Sequence, residues 1–260
     1  MLIPLQGGIL YGPINSRRFG RSLGINLMPR AYKLCSFNCV YCHYGLTRKP
    51  TMDISESFID LPALDTVVKA VEQAANSSMQ FDFLTFSGNG EPTLYPRFAE
   101  LVDEVVRIRD TYRPEVKVAL LSNSSGLLLK EVRESVSKID TPVFKLDAGS
   151  ENKFREINRP AKEVSFAEVL DHLASLDDIY IQTVFIQGKP TNEADEDIIS
   201  YLRQINRIQP RESHIYSIDR PVPYKTISLV SPKRLKAIAQ QGQKKTGVRI
   251  IPFYAHVSGQ

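Results

Sequence analysis

The stretch Lys33-Leu34-Cys35-Ser36-Phe37-Asn38-Cys39-Val40-Tyr41-Cys42-His43-Tyr44-Gly45 contains every cysteine of the 260-residue chain. Three thiols within eight positions form one site, and so few exclude a disulfide-stapled secreted scaffold. The stretch lies in a connection over residues 30–50. Loops longer than about 12–15 residues without structure of their own are usually functional or disordered, and clustered cysteines favour function. The run Gly24-Ile25-Asn26-Leu27-Met28 just before it reads as the first core strand.

Several chemistries compete for three cysteines at this spacing. Redox disulfide exchange uses Cys39 and Cys42 and leaves Cys35 unexplained. Haem attachment matches Cys39-x-x-Cys42-His43 but requires export. A zinc site with His43 as fourth ligand asks two adjacent residues to point at one ion. Inert buried cysteines scatter among strands and do not bunch in a polar loop. A [4Fe–4S] cluster normally takes four cysteines; on three it keeps one iron open for another ligand, much as a catalytic zinc keeps an open position.

Outward from this loop, the chain alternates strand and helix signals. Leu64, Val67, Val68, Val71 and Ala75 lie on one helical face after Pro62, and Phe98, Leu101, Val102, Val105 and Ile108 on another. Strands are predicted at Phe81–Phe86, Val116–Leu121, Val143–Leu146, Tyr180–Ile186 and His214–Ile218. Further helices are predicted over 126–137, from a Ser165/Glu168 capping box through 176, after Asn192 with its acidic followers Glu193, Asp195 and Glu196, and from Ser231-Pro232 to about 240. Val248–Ile251 forms a short closing segment. Six strand–loop–helix repeats imply an α/β chain of parallel strands with right-handed crossovers. They are too few for an eight-fold barrel and suit a partial one, with an open doubly wound sheet as the alternative. In both, ligands gather at the carboxyl ends of the strands. The expected division is an amino-terminal arm (1–24), the barrel (25–225), and a carboxyl-terminal helix with its closing segment (226–260).

The loops at those strand ends carry the remaining candidates. Ser87-Gly88-Asn89-Gly90-Glu91-Pro92 allows close backbone approach to a ligand and offers a carboxylate to an ammonium group, or makes a tight β–α turn. Ser122 and Asn123 can bind a ribose or carboxylate, or cap the next helix. Lys145 and Asp147 share one face of a strand, as ligand contacts or as a structural pair. Asn158-Arg159-Pro160 and Asp219-Arg220-Pro221 follow strands on the ligand side; in them Arg159 and Arg220 are candidate anion clamps, and Arg17 and Arg18 are further substrate candidates. Gln182 and Gln187 sit on a ligand-side strand.

Cys35-x-x-x-Cys39-x-x-Cys42, with Tyr41 before the last cysteine and the first strand before the loop, resembles the radical S-adenosylmethionine (SAM) superfamily. The resemblance implies a partial (β/α)6 TIM-like barrel, and a [4Fe–4S] cluster and SAM as cofactors. By the same resemblance Gly88, Asn89, Gly90 and Glu91 hold the methionyl amino group, as a Gly-x-Gly-Glu-Pro variant of the family motif. Ser122 and Asn123 serve the SAM ribose and carboxylate, and Tyr41 belongs to the cofactor site. Lys145 serves the SAM carboxylate or substrate, with Asp147 in the same pocket. The implied reaction is reductive cleavage of SAM to methionine and a 5′-deoxyadenosyl radical that abstracts hydrogen from an anionic substrate, RNA or polypeptide, with flavodoxin or ferredoxin as electron donor. The strings SRRFGRSLGIN, CSFNCVYC, SGNGEPTL and IYSIDRPVP resemble a group of small proteins near the wyosine-synthesis enzymes and glycyl-radical-enzyme activases. The wyosine enzymes carry additional amino-terminal cysteines for a second cluster. Three cysteines therefore suit an activase-like or small-substrate enzyme, with a tRNA-modifying or RNA-binding protein holding a structural cluster as the alternative.

Composition, with 42% apolar and 24% charged residues, is that of a globular protein. No apolar run reaches membrane-spanning length and the amino end lacks signal-peptide order, so the expected location is the cytoplasm, away from membranes. Charge is uneven. Residues 1–50 carry seven basic and no acidic side chains, residues 51–219 carry 18 basic and 29 acidic, and residues 220–260 carry eight basic and none acidic. The net +4 thus hides two wholly basic ends, which can balance cluster and SAM charges or attract an anionic partner.

Overall fold

The computed structural model describes residues 2–254 and divides into two compact units. One comprises Pro4–Ser36 with Lys49–Val143, and the other includes Phe37–Arg48 and the chain from Phe144 onward. The cysteine loop is thus shared along the chain, with Cys35 in the first unit and Cys39 and Cys42 in the second.

In the first unit, β1 (Leu10–Ser16) and β2 (Gly20–Ile25) form an antiparallel hairpin, and β2, β3 (Phe83–Phe86) and β4 (Lys117–Ser122) pair in parallel, in that order. The strand expected at 24–28 therefore begins at Gly20 and stops at Ile25. Its first half, Gly20-Arg21-Ser22, is polar and mostly exposed, and invisible to an apolar pattern. Helices α1 (Leu64–Ala75), α2 (Phe98–Tyr112) and α3 (Lys130–Val136) follow β2, β3 and β4. Their stripes bury Val67, Val71, Leu101, Val102, Val105 and Ile108 completely, each contributing about 1.5–3 kcal/mol of transfer free energy. The helix expected over 126–137 is interrupted. A 3-10 turn at Ser125–Leu128 precedes α3, and Leu129 between them is extended (φ −94°, ψ 127°).

In the second unit, β6 (Tyr180–Gly188), β7 (Glu212–Ser217) and β9 (Ile250–Phe253) run parallel, and β8 (Ile227–Leu229) pairs antiparallel with β6. The boundary between the units falls within β5 (Thr141–Lys145). The helices are α4 (Glu151–Ile157), α5 (Phe166–Ala174), α6 (Asp195–Ile208) and α7 (Pro232–Thr246). Ser165 caps α5 by accepting from the Glu168 amide, and Ser231 caps α7 by accepting from Arg234. Asn192 does not cap α6. It is buried, donates to the Asp147 and Val184 carbonyls and accepts from the Ile186 amide, while α6 starts with Asp195, Glu196 and Asp197 in its first turn. Helix α7 runs six residues past its expected end because Gly242 and Thr246 continue its buried stripe, and Gly247 stops it at φ +74°. Helix α4 has no periodic signal in the sequence, because only Phe154 and Ile157 mark its buried face.

Strands β2 to β7 are each followed by helix (α1, α2, α3, α4 with α5, α6 and, past β8, α7), which makes six strand–helix repeats. Among the described residues no helix is long and apolar enough to cross a membrane.

At the start of β2, Arg21 grips Asp82 through its backbone amide (2.8 Å) and guanidinium (2.8 and 3.2 Å). These bonds favour the ionised form and hold the Asp82 carboxyl down at about 2. Because the folded value lies below the ordinary one of about 4, the stabilisation is fully present above pH ~4 and is lost as pH falls towards 2. Carbon-13 NMR should show Asp82 titrating near 2; a midpoint near 4 would contradict the pairing.

Candidate active site

In the first unit the site grows from the loop after β3. The Leu34 amide donates to the Asn89 carbonyl (3.1 Å) and the Glu91 amide donates to the Leu34 carbonyl (3.1 Å), a parallel bridge between Leu34 and Gly90. A Cβ on residue 90 would lie 1.6 Å from the Leu34 carbonyl oxygen, so only glycine permits this approach. Gly88 (φ +130°) similarly admits Asn26, whose Oδ1 would lie 2.5 Å from an added Cβ and accepts from the Asn89 amide (3.0 Å). The Asn89 side chain itself is a brace: it donates to the Gln6 and Pro29 carbonyls and accepts from the Gln6 amide.

Glu91, 1% exposed, accepts at one oxygen from Thr93 Oγ1 (2.6 Å), Ser122 Oγ (2.8 Å) and the Thr93 amide (3.2 Å), and at the other from the Asn123 amide (2.6 Å). Burial pushes its carboxyl up from the usual range, and these bonds partly offset the shift. The Asn123 side chain accepts from the Ser125 amide (2.9 Å) and donates to Ser36 Oγ (2.9 Å) and Cys35 Sγ (3.5 Å). One residue at the end of β4 thus joins the Glu91 carboxylate to the first cysteine. Arg17 and Arg18 occupy the β1–β2 turn. The register Ser22–Phe83–Lys117 places that turn at the start of the parallel strands, opposite the ends that carry Glu91 and Ser122.

In the second unit the hub is Asp147, whose side chain is wholly buried. The Val184 amide donates to Oδ1 (2.8 Å), while Asn158 Nδ2 (2.6 Å) and the Tyr41 hydroxyl donate to Oδ2. Lys145 lies 3.9 Å from the same oxygen, with its ammonium 5.3 Å from the Tyr41 ring centroid. The loop is stitched beside them: the Asn38 amide donates to the Asn158 and Arg159 carbonyls (3.0 and 3.2 Å) and the Val40 amide to the Ile157 carbonyl (3.0 Å). Asn158 Nδ2 also lies 3.5 Å from Cys39 Sγ. Burial raises the Tyr41 hydroxyl well above its ordinary value, with the Asp147 charge next in effect, and burial raises the Cys39 thiol despite Lys145. All three cysteines are free thiols. Buried thiols beside amide donors suit iron ligation, because a coordinating thiol is deprotonated outright by the metal.

His43 faces Asp219 at 3.5 Å, and Arg220 beside it is exposed. Arg159 donates to the Tyr224 hydroxyl and stacks over that ring at 5.7 Å. Gln182 is buried and accepts from Tyr216 (3.3 Å), whereas Gln187 is exposed in the β6–β8 pair. The string Asn158-Arg159-Pro160 follows a ligand-side strand as expected, but the role assigned there fell on Arg159, whereas it is Asn158 that reaches Cys39 and Asp147.

The fold and these strand-end groups define a class. The profile of the Radical SAM superfamily matches residues 31–205, and the chain belongs to that superfamily. It is a radical SAM enzyme, whose family membership implies a [4Fe–4S] cluster and SAM. A UPF0026 protein of Methanocaldococcus jannaschii is 32% identical over 238 residues, 89% of this chain and 69% of that protein, which places the chain in the UPF0026 family. GTPase Obg of Brachyspira hyodysenteriae is 29% identical over 214 residues, and these cover 81% of this chain and only 30% of that protein. Among solved structures, TYW1 with a lysine–pyruvate adduct bound aligns with a TM-score of 0.61 at 17% identity, covering 88% of this chain and 76% of that one. This likeness shows the fold, the partial TIM-like barrel that the six repeats suit and the family resemblance implies.

The Gly90 approach gives a stability prediction. Gly90→Ala should lower stability by at least about 1–3 kcal/mol through overpacking, read as a lower urea midpoint. Gly7→Ala, with nothing within 4 Å of the added methyl, should leave the midpoint nearly unchanged.

Proposed function

We propose that Cys35, Cys39 and Cys42 hold one [4Fe–4S] cluster with an iron open to SAM, and that the enzyme acts by hydrogen abstraction on an anionic substrate. The observation that carries this reading is Asn123, which bonds both Glu91 and Cys35 and so links the proposed SAM ammonium acceptor to a proposed cluster ligand. A cluster held by Cys35, Cys39 and Cys42 would supply one-electron reduction for the cleavage of bound SAM, the source of the hydrogen-abstracting radical.

The chain's own part is binding and orientation. A buried carboxylate pushed up by desolvation gains most from an ammonium partner, the role assigned to Glu91. Ser122 and the Asn123 and Thr93 amides hold its oxygens in place. Gly88 and Gly90 let the backbone close around Asn26 and Leu34, and Asn89 braces that turn. Lys145, steadied between Asp147 and the Tyr41 ring, is assigned to a carboxylate of SAM or substrate. Arg220 and the Arg159–Tyr224 pair supply positive charge for an anionic substrate. The reductant is proposed to be a flavodoxin or ferredoxin.

Anaerobic reconstitution with iron and sulfide, followed by dithionite and SAM, tests the reading: 5′-deoxyadenosine should form, and an intact cluster that yields none would sink it. Replacement of any one cysteine by alanine should abolish the cluster absorbance. Glu91→Gln should keep the cluster and weaken SAM binding by roughly 10- to 100-fold, the worth of one hydrogen-bonded charge. That loss is read as the SAM concentration needed to change the EPR signal of the reduced cluster.

A further inference from the structure

We propose that the side-chain amides of Asn123 and Asn158 set the reduction potential of the cluster by donating N–H···S hydrogen bonds to Cys35 and Cys39. The inference rests on the reading above, in which these cysteines are cluster ligands.

The two amides are placed independently, one in each unit. Asn123 Nδ2 stands 3.5 Å from Cys35 Sγ. Its orientation is settled by its other bonds, because Oδ1 accepts from the Ser125 amide at 2.9 Å and leaves nitrogen to face the sulfur. The backbone amide of the same residue is held by Glu91 at 2.6 Å. Asn158 Nδ2 stands 3.5 Å from Cys39 Sγ and 2.6 Å from Asp147 Oδ2. Both oxygens of Asp147 accept from other donors, Oδ1 from the Val184 amide and Oδ2 from the Tyr41 hydroxyl, so that contact again identifies the nitrogen.

Asn158 carries a further sign that its N–H group is what the structure uses. Its Oδ1 is buried without a hydrogen-bond partner, in a residue that is 1% exposed. An unsatisfied buried acceptor is destabilising, and a leucine of similar shape would avoid it. What the amide offers in return is donation to Cys39 and Asp147.

The expected effect follows from electrostatics. Reduction adds one electron, supplied by dithionite in the test, and the added charge is shared by the sulfurs. A fixed N–H dipole stabilises the reduced form more than the oxidised one, which raises the potential. Burial of Cys35, Cys39 and both asparagines strengthens the interaction because little water screens it.

The test is a mediated redox titration of the reconstituted full chain without SAM, followed by EPR. Asn158→Leu should shift the one-electron reduction equilibrium about tenfold towards the oxidised form, a potential about 59 mV more negative. Asn123→Leu should do the same through Cys35, and the double variant should add the two shifts, since they act on different cysteines. In wild type labelled with 15N in the asparagine side chains, pulsed EPR of the reduced cluster should show nitrogen coupling that weakens in each variant. Iron and sulfide analysis separates the failures: a wild type that binds no cluster removes the underlying reading. A cluster-loaded wild type without side-chain 15N coupling overturns the inference even if a variant fails to fold, and so do loaded variants with unmoved potentials.

Discussion

The Leu34 carbonyl occupies the space where a side chain on residue 90 would begin. That contact makes the rest of the site possible. It lets two backbone hydrogen bonds close between the start of the cysteine loop and the turn after β3. Cys35 follows Leu34 by one residue, and Glu91 follows Gly90 by one. A single backbone bridge therefore fixes the relation of a thiol to a carboxylate far from it in sequence. Without such anchors a connection this long would be costly to order. The same loop is pinned again where Asn38 and Val40, on either side of Cys39, donate to the Ile157–Arg159 turn.

Buried charge is the second organising element. Among the described residues, each unit contains one deeply buried carboxylate at strand ends, Glu91 in one and Asp147 in the other. Burying a carboxylate is expensive unless its oxygens are satisfied. Both are: Glu91 by Thr93, Ser122 and Asn123, and Asp147 by Tyr41, Asn158 and Val184. In each case an asparagine bonded to the carboxylate also reaches a cysteine sulfur. The networks thus couple strand ends to the cysteine loop in the same chemical manner in both units.

The uneven charge of the sequence acquires a structural reading as well. The acidic middle spends much of its charge on helix-surface pairs such as Arg97–Glu100, Arg107–Glu104 and Lys130–Glu134, which are worth little individually in water. In the basic carboxyl-terminal stretch, Arg234 and Arg249 meet acidic partners from earlier in the chain, Glu193, Asp195 and Glu212. Part of that stretch is therefore neutralised within the fold.

The order of strands and helices was legible in the sequence because apolar spacing reports directly on which face is buried; the stripes of α1 and α2 and the runs of β3, β4 and β6 needed nothing more. The superfamily was legible through three cysteines at a specific spacing, and its profile matches residues 31–205. Tertiary structure alone decided which polar groups meet. It moved Arg17 and Arg18 to the start of their strands, made Asn89 a brace and Asn192 a support for β6, and brought Asn123 and Asn158 to the sulfurs. Periodicity carries one-dimensional information about burial. A hydrogen bond between residues 88 or 119 positions apart depends on strand register and loop closure, which no local pattern encodes.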